Sequence, residues 1–163
     1  MSTRNFVLVV CLISSQLFAA DVDHADRIIV LKSQRKLVLM NGNKEIHSYK
    51  VSLGPSPVGP KTRQGDHKTP EGSYVIDSRN PASHYYRALH VSYPNPADRE
   101  RARKLGVSPG GDIMVHGLPN GYGAIGKAHL LHDWTDGCIA VTNEEMDEIW
   151  KLVPVGTPIE IRP

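Results

Sequence analysis

Short strand-like segments separated by turn residues are the feature that most restricts the fold of this chain. Residues 27–32 and 36–40 flank a tight turn at 33–35, and an Asn-Gly-Asn turn at 41–43 precedes an alternating segment at 44–53. Such segments joined by short turns are typical of antiparallel strands. Similar runs recur further along the chain, at residues 73–77, 88–93, 112–115, 138–141 and 157–161. The pattern predicts a single, mainly β domain.

Two segments have the signals of short helices instead. Residues 97–105 are rich in charge, follow an Asn-Pro pair and stop at Gly106. Residues 144–153 follow Thr142 and begin with two glutamates, which favour a helix N-terminus. One face of this second segment is apolar and carries Met146, Ile149, Trp150 and Val153. We therefore expect two short helices beside the strands.

Two long segments have neither a strand nor a helix pattern. Residues 54–72 are dense in glycine and proline, and residues 118–137 form a second glycine-rich segment. Loops of this length inside a compact domain are usually functional. We expect both loops to lie on one rim of the domain and to border its site.

The first twenty residues have the pattern of an export signal. Residues 6–13 form an apolar run too short to span a bilayer, and Ala19-Ala20 offers a cleavage region. A retained N-terminal anchor and lipid modification of Cys11 are competing interpretations. Removal of residues 1–20 would leave about 143 residues, enough for one domain, with 18 Lys and Arg against 17 Asp and Glu. We expect a periplasmic monomer with no stable membrane insertion after signal removal and, given its weak net charge, no nucleic-acid partner.

The cysteines indicate where chemistry can occur. Cys11 lies in the predicted signal, so the exported chain keeps only Cys138. One unpaired thiol in an exported protein indicates an intermolecular bridge, a reactive residue or a small buried hydrophobe. Gly137 precedes this cysteine, and His116 ends another predicted strand, also beside a glycine. A thiol needs a base to act as a nucleophile, and these two groups can meet if their strands are adjacent.

These residues lie in segments that carry a family resemblance. The segments MVHG at 114–117, TDGCI at 135–139, KTPEG at 68–72 and LHVSYPN at 89–95 resemble the catalytic domain of the L,D-transpeptidase family. The resemblance extends over residues 27–162. It implies a β-sandwich-like fold with long active-site loops, and no metal or organic cofactor.

The resemblance also implies roles for individual residues. Cys138 would be the nucleophile and His116 its base, with the Gly117 carbonyl orienting the imidazole. Backbone N–H groups around Gly137 and Cys138, next to Thr135, would form an oxyanion hole. The implied substrates are stem peptides of peptidoglycan, whose diaminopimelate carbonyl would form a thioester with the cysteine. A carbapenem, which mimics this acyl donor, would then label the same thiol.

The chain departs from the family pattern in two respects. The interval from His116 to Cys138 is 22 residues, longer than is usual in the family, so the loop between them is expanded. The family often has a histidine before Gly137 and an arginine two residues after the cysteine, where this chain has Asp136 and Ala140. Because that arginine helps to hold substrate in many members, the departure concerns the substrate pose and leaves the nucleophile in place.

Several other side chains are candidates for contacts with a stem peptide. They are cationic, aromatic or imidazole groups on or near the predicted loops: Lys68, His84, Tyr86, Arg87, His90, His132 and Trp134. Each can equally be structural or face solvent. His129 and His132 have a spacing that could ligate a metal on a helix, but neither a second cysteine nor an HExxH pattern supports a metal site.

The residues leave open which group resolves the thioester. A second stem peptide, a free D-amino acid or a lipoprotein lysine would make the chain a transpeptidase. Water would make it an L,D-carboxypeptidase, or an amidase that detaches a wall-linked protein. A non-catalytic wall-binding module is the alternative of a different class, and the intact pair of His116 and Cys138 argues against it.

Overall fold

The computed structural model describes residues 24–163 of the chain. The predicted export signal, residues 1–20, lies outside the described residues and stays a prediction. The described part is mostly β-sheet, with two α-helices and two 3-10 segments between the strands. The mainly β class expected from the turn-punctuated sequence is confirmed.

The described part begins with an antiparallel meander. Its strands are β1 (Arg27–Leu31), β2 (Lys36–Asn41) and β3 (Lys44–Lys50), paired in sequence order. A 3-10 turn (Lys32–Gln34) connects the first two strands, and Arg35 closes this turn in a left-handed conformation with φ of 48°. Both predicted hairpins are therefore present.

One long strand, β4 (Gly72–Ser83), joins the two halves of the sheet. Its first residues pair with the last strand of the chain, β8 (Pro158–Arg162), which also pairs in parallel with β1. Its later residues pair with β5 (Tyr86–Val91). The strand thus belongs to the meander at one end and to the site-bearing half of the sheet at the other.

The sheet continues from β5 to the strands that carry the predicted site. These are β6 (Met114–His116) and β7 (Ile139–Ala140), which complete the order β3-β2-β1-β8-β4-β5-β6-β7. The segment after β3 then meets β7 through two backbone hydrogen bonds between Ser52 and Ala140. The two ends of the strand order are thereby brought together.

Both predicted helices are confirmed, as α1 (Pro96–Leu105) and α2 (Asn143–Leu152). Asn95 and Thr142 cap their first turns in capping boxes, and Gly106 ends α1 in the left-handed conformation. In residues 24–163, no helical segment combines the length and the apolar character that a membrane span requires.

One apolar core packs the two halves of the sheet and α2 together. Alternation of buried and more exposed residues is clear in β1, β8 and the first half of β4, whereas consecutive residues are buried in β2, β5 and β7. Buried members from the meander and β8 are Ile28, Val30, Leu37, Leu39 and Ile161; those from the other half are Ile76, Leu89, Val91, Val115 and Ile139; those from α2 are Met146 and Ile149. The core therefore covers the inner faces of both strands that carry the predicted site.

The sequence pattern missed the second half of β4. This strand continues to Ser83, beyond the predicted end at residue 77. Its later part contains Pro81 and has no apolar alternation, and its pairing with β5 shifts register between Asn80 and Ser83. The pattern of alternation fails here because the strand pairs through an irregular hairpin.

The two predicted loops border this half of the sheet. Residues 54–71 contain no regular strand or helix, as expected. Residues 118–137 are loop at both ends, but their middle forms a 3-10 segment (Gly123–Leu131) that is interrupted by the non-helical Gly126. The glycines of this segment predicted a loop throughout, so the sequence pattern did not reveal its short helical part.

A buried lysine holds the first loop against the sheet. Lys32 directly follows β1, is 1% exposed and donates from Nζ to the Gly59 carbonyl at 2.7 Å, the Thr69 carbonyl at 3.0 Å and the Glu71 carboxylate at 2.8 Å. Burial lowers the pKa of Lys32, and the Glu71 carboxylate opposes this shift. All three N–H groups of the ammonium are used, so one side chain holds the loop at Gly59 and again at its end, at Thr69 and Glu71.

We expect Lys32→Met to lower the free energy of unfolding by about 3–5 kcal/mol, because it leaves the largely buried Glu71 carboxylate without its partner. Lys36→Met is the matched control, since Lys36 forms a more exposed pair with Glu45 at 3.1 Å. This control should change stability by less than about 1 kcal/mol. Urea unfolding followed by tryptophan fluorescence measures both, and equal losses would contradict the anchoring role of Lys32.

Candidate active site

The pairing of β6 with β7 brings the two predicted catalytic residues together. The strands run in parallel, with Val115 opposite Ile139 and His116 opposite Ala140. Cys138 lies directly before β7, so its side chain emerges beside the end of β6. The two side chains could meet only if their strands were adjacent, and the pairing of β6 with β7 satisfies this condition.

Both groups line one cavity of about 330 Å³. Thr135, Trp134 and His84, which the sequence analysis named as site residues, also line it. The other lining residues were not candidates for the site: Asn80, Ser83, Tyr85, Asp112, Met114 and Asp136. Of these, Asp136 was named only as a departure from the family pattern. The cavity is thus bounded by the irregular end of β4, by the turn that joins β4 to β5, by β6, and by the loop before Cys138.

The imidazole of His116 is buried and its tautomer is fixed. His116 is 3% exposed, and its Nδ1 lies 2.7 Å from the Gly117 carbonyl, as the family resemblance implied. A carbonyl only accepts, so Nδ1 carries the proton and Nε2 has a free lone pair. Burial lowers the pKa of His116 to about 4. The rings of Tyr85 and Trp134 enclose the imidazole, with centroids 4.6 Å and 5.8 Å away.

The thiol of Cys138 is partly exposed at the cavity wall. Burial raises its pKa to about 11, and the nearby carboxylates of Asp136 and Asp112 add to the shift, whereas a hydrogen bond from the Met114 N–H opposes it. Among the described residues, Sγ donates to the Asp112 carbonyl at 3.4 Å, and no hydrogen bond joins it to His116. The resting pair is therefore a neutral thiol and a neutral imidazole rather than an ion pair.

A tight turn presents the cysteine. The Thr135 hydroxyl accepts from the Gly137 N–H at 3.2 Å and donates to the Cys138 carbonyl at 2.8 Å. Gly137 has φ of 116°, and a Cβ there would lie 2.4 Å from the Lys68 carbonyl. Only glycine lets the first loop approach this turn so closely. Because the Gly137 N–H is already engaged, the prediction that it faces an oxyanion does not agree with the resting geometry.

Two predicted substrate contacts are corrected by the structure. The Tyr86 hydroxyl and the Arg87 guanidinium both bind Asp147 on α2, at 2.9 Å and 2.8 Å, and neither residue lines the cavity. Trp150 lies beneath the guanidinium. Their side chains thus connect β5 to α2. Strict alternation would direct these two neighbours to opposite faces, but Tyr86 has a positive φ of 66°, so the start of β5 departs from strand geometry.

Two further candidates lie outside the cavity. Lys68 borders a neighbouring pocket with Arg63 and Asp66. His132 borders a separate apolar pocket with Tyr122 and Ile125. Direct contact with a substrate at the thiol is therefore not supported for either residue.

The remaining histidines have structural partners. His90 binds Asp77 at 2.6 Å through Nδ1, and His129 is buried with its Nδ1 3.1 Å from the Ser52 hydroxyl. Within residues 24–163, no three His, Cys, Asp or Glu side chains converge in a way that could hold a metal ion. His129 is buried, whereas His132 is exposed, so the two imidazoles have different surroundings.

Sequence reasoning missed Tyr85 and Asp112 although both border the thiol or the imidazole. Tyr85 directly precedes β5, at the tip of the irregular hairpin whose existence the pattern did not reveal. Asp112 has a positive φ of 54° and contributes its carbonyl to Sγ. A backbone contact of this kind leaves no signal in residue type.

Comparison with known proteins agrees with this geometry. The family model of the L,D-transpeptidase catalytic domain matches residues 25–161. YafK of Escherichia coli (strain K12), which is named provisionally as an L,D-transpeptidase, is 34% identical over 111 residues, or 66% of this chain and 37% of YafK.

Solved structures have the same fold. Bd1075 of Bdellovibrio bacteriovorus is 28% identical with a TM-score of 0.57, over 83% of this chain and 47% of that chain. A variant of the helical cell shape determining protein Pgp2 of Campylobacter jejuni is 25% identical with a TM-score of 0.63, over 85% of this chain and 48% of that chain. The chain spans less than half the length of each of these relatives. With a match that covers almost all of its described residues, this chain belongs to the L,D-transpeptidase catalytic domain family.

Proposed function

We propose that this protein is a peptidoglycan L,D-transpeptidase that transfers an acyl group through a thioester on Cys138. The observation that carries the proposal is a single, partly exposed thiol that shares a cavity with an imidazole of fixed tautomer. A thiol and a base in one accessible cavity are the arrangement that nucleophilic acyl transfer needs. A wall-binding module would have no use for it.

The first half of the reaction forms the thioester. Sγ of Cys138 attacks the carbonyl at the L-centre of a diaminopimelate residue, and the free lone pair on Nε2 of His116 takes the thiol proton. The tetrahedral intermediate then expels the terminal D-Ala as its amine, to which the imidazolium returns the proton. The C–N bond breaks, the C–S bond remains, and the imidazole is neutral again.

The second half releases the acyl group. An acceptor amine attacks the thioester carbonyl and gives a proton to His116, which passes it to the departing sulfur. A new amide bond forms and Cys138 returns to its thiol. The Gly117 carbonyl stabilises the imidazolium in both halves, because it accepts the hydrogen bond from Nδ1 throughout.

The charges of the cavity favour an ammonium-bearing part of the substrate. Asp112 and Asp136 are the acidic residues of its lining, in which the described residues place neither lysine nor arginine. The Asp136 carboxylate also lies 2.7 Å from Nδ1 of His67. Diaminopimelate and a lysine side chain both carry an ammonium that such a site attracts. We infer that the substrates are stem peptides of the periplasmic wall and that the protein acts as an exported monomer. Because the similar protein Pgp2 is named for determining helical cell shape, we also infer that this remodelling affects the shape of the cell.

Hydrolysis is the second candidate within the same chemistry. Water that enters the partly exposed cavity would release a free acid, as in an L,D-carboxypeptidase or an amidase. The proposal favours an amine acceptor because the lining carboxylates concentrate a protonated amine at the cavity, whereas water gains nothing from them. The ammonium loses one proton to solvent before the neutral amine attacks the thioester.

We predict that the protein exchanges D-Ala for D-Met on a tetrapeptide that ends in diaminopimelate–D-Ala. Cys138→Ala should abolish the product, and His116→Ala should lower kcat/KM by about 10²–10⁴-fold because the general base is lost. His90→Ala is the control, since that histidine binds Asp77 away from the cavity. Chromatography with mass spectrometry identifies the products. Tripeptide alone would indicate a carboxypeptidase, and an inert wild-type protein would favour a binding module.

We predict that the free enzyme has no reactive ion pair at neutral pH. With the pKa of Cys138 raised to about 11 and that of His116 lowered to about 4, both groups are neutral between these values. The rate of alkylation by iodoacetamide should then rise about tenfold per pH unit from pH 7 to pH 10, because only the thiolate reacts. Free glutathione serves as the reference. A plateau of the rate below pH 8 would indicate a thiolate–imidazolium pair instead.

We predict that a carbapenem acylates Cys138, because its strained carbonyl takes the place of the acyl donor. Intact-mass spectrometry should detect one adduct on the wild-type protein and none on Cys138→Ala. Labelling of both proteins, or of neither, would argue against the cysteine as the acyl acceptor.

A further inference from the structure

The peptide unit between Gly117 and Leu118 stands behind the imidazole of His116. At one end of this unit, the Gly117 carbonyl accepts from Nδ1 at 2.7 Å. At the other end, the Leu118 N–H donates to Oδ1 of Asn143 at 2.9 Å. Because a peptide unit is planar and rigid, the hydrogen bond at one end sets the direction of the carbonyl at the other.

The preceding peptide group, between His116 and Gly117, is held by backbone partners at both of its ends. The His116 carbonyl accepts from the Val141 N–H at 3.0 Å, and the Gly117 N–H donates to the Arg87 carbonyl at 3.2 Å. These contacts belong to the sheet and fix the strand up to Gly117. Beyond that residue the sheet contacts end, and the next N–H has the side chain of Asn143 as its partner.

Two glycines leave the space that the Asn143 side-chain amide occupies. A Cβ on Gly117 would lie 2.7 Å from Oδ1 of Asn143, and a Cβ on Gly123 would lie 2.7 Å from its Nδ2. Two parts of the expanded loop thus close around the amide because each has a glycine there. Thr142 caps α2 and fixes the backbone of Asn143 as the first residue of the helix.

We propose that Asn143 is a positioning residue of the active site. It holds the Gly117–Leu118 peptide in the orientation in which the Gly117 carbonyl accepts the hydrogen bond from Nδ1–H of His116. The inference rests on the proposed role of His116 as the base. Without the amide, the peptide can rotate and the imidazole can adopt the tautomer with a protonated Nε2. That tautomer has no free lone pair on Nε2 and cannot take the thiol proton there.

The test compares three variants by activity and by NMR of ¹⁵N-labelled histidine. Asn143→Leu is close in size to asparagine but has no acceptor, whereas Asn143→Asp keeps an oxygen at the same place. Asn95→Leu is the matched control, because the Asn95 side chain likewise accepts one backbone N–H, from Asp98 at 3.0 Å, at the start of α1. The His116 signals are assigned by their loss in His116→Gln.

We expect Asn143→Leu to lower kcat by about tenfold or more, since a wrong tautomer disables a general base, with KM changed by less than about twofold because substrate contacts are intact. Its His116 spectrum should contain both tautomers. Asn143→Asp should keep the Nδ1-protonated signal and most of kcat. Asn95→Leu should lose stability without a change in tautomer.

A wild-type tautomer and kcat in Asn143→Leu would overturn the inference. If this variant does not fold, Asn143→Ala, which only removes the amide, provides the same comparison. The NMR measurement also separates two kinds of failure. A wild-type protein that transfers no acyl group would refute the proposed function, yet the tautomer of His116 in the variants would still decide the role of Asn143.

Discussion

The parallel pairing of β6 with β7 is the contact on which the site depends. It sets His116 opposite Ala140 and so places the imidazole and the thiol of Cys138 on one cavity, although 22 residues separate them in sequence. Because the strands fix the distance between these groups, the loop between them can expand without moving either. The loop contains the 3-10 segment Gly123–Leu131, whose first residue forms one side of the slot that encloses Asn143.

Burial keeps both His116 and Cys138 uncharged in the resting site. The low pKa of His116 and the high pKa of Cys138 have the same first cause, because a cavity wall of protein solvates separated charges poorly. Proton transfer from sulfur to nitrogen is therefore unfavourable in the resting site. It becomes favourable when the sulfur bonds to the carbonyl carbon of a substrate, because the negative charge then moves to the carbonyl oxygen. The thiol would then be activated by its substrate and would react slowly with solvent oxidants, whose attack follows thiolate character.

The local features of the fold were predictable from sequence because they are encoded by neighbours in the chain. The caps of both helices, the turn glycines and the two long loops belong to this group. The directions of Tyr86 and Arg87 were not predictable, because they depend on how β5 pairs with an irregular strand around Pro81. The role proposed for Asn143 was hidden in the same way. As a sequence signal this residue marks only a helix start, and its contact with Leu118 exists only once the helix is packed beside the end of β6.

The alanine two residues after the cysteine shows how packing and recognition are linked in this chain. Ala140 is fully buried, and both of its backbone groups bind Ser52, so the segment after β3 covers this edge of β7. Because Ala140 is fully buried, a long cationic side chain at this position would have to displace the residues packed around it. The substrate-holding role of the family's arginine therefore has no counterpart at this position, while the cavity itself presents the carboxylates of Asp112 and Asp136. These carboxylates are the physical basis for expecting an ammonium rather than a carboxylate to be the group recognised beside the thiol.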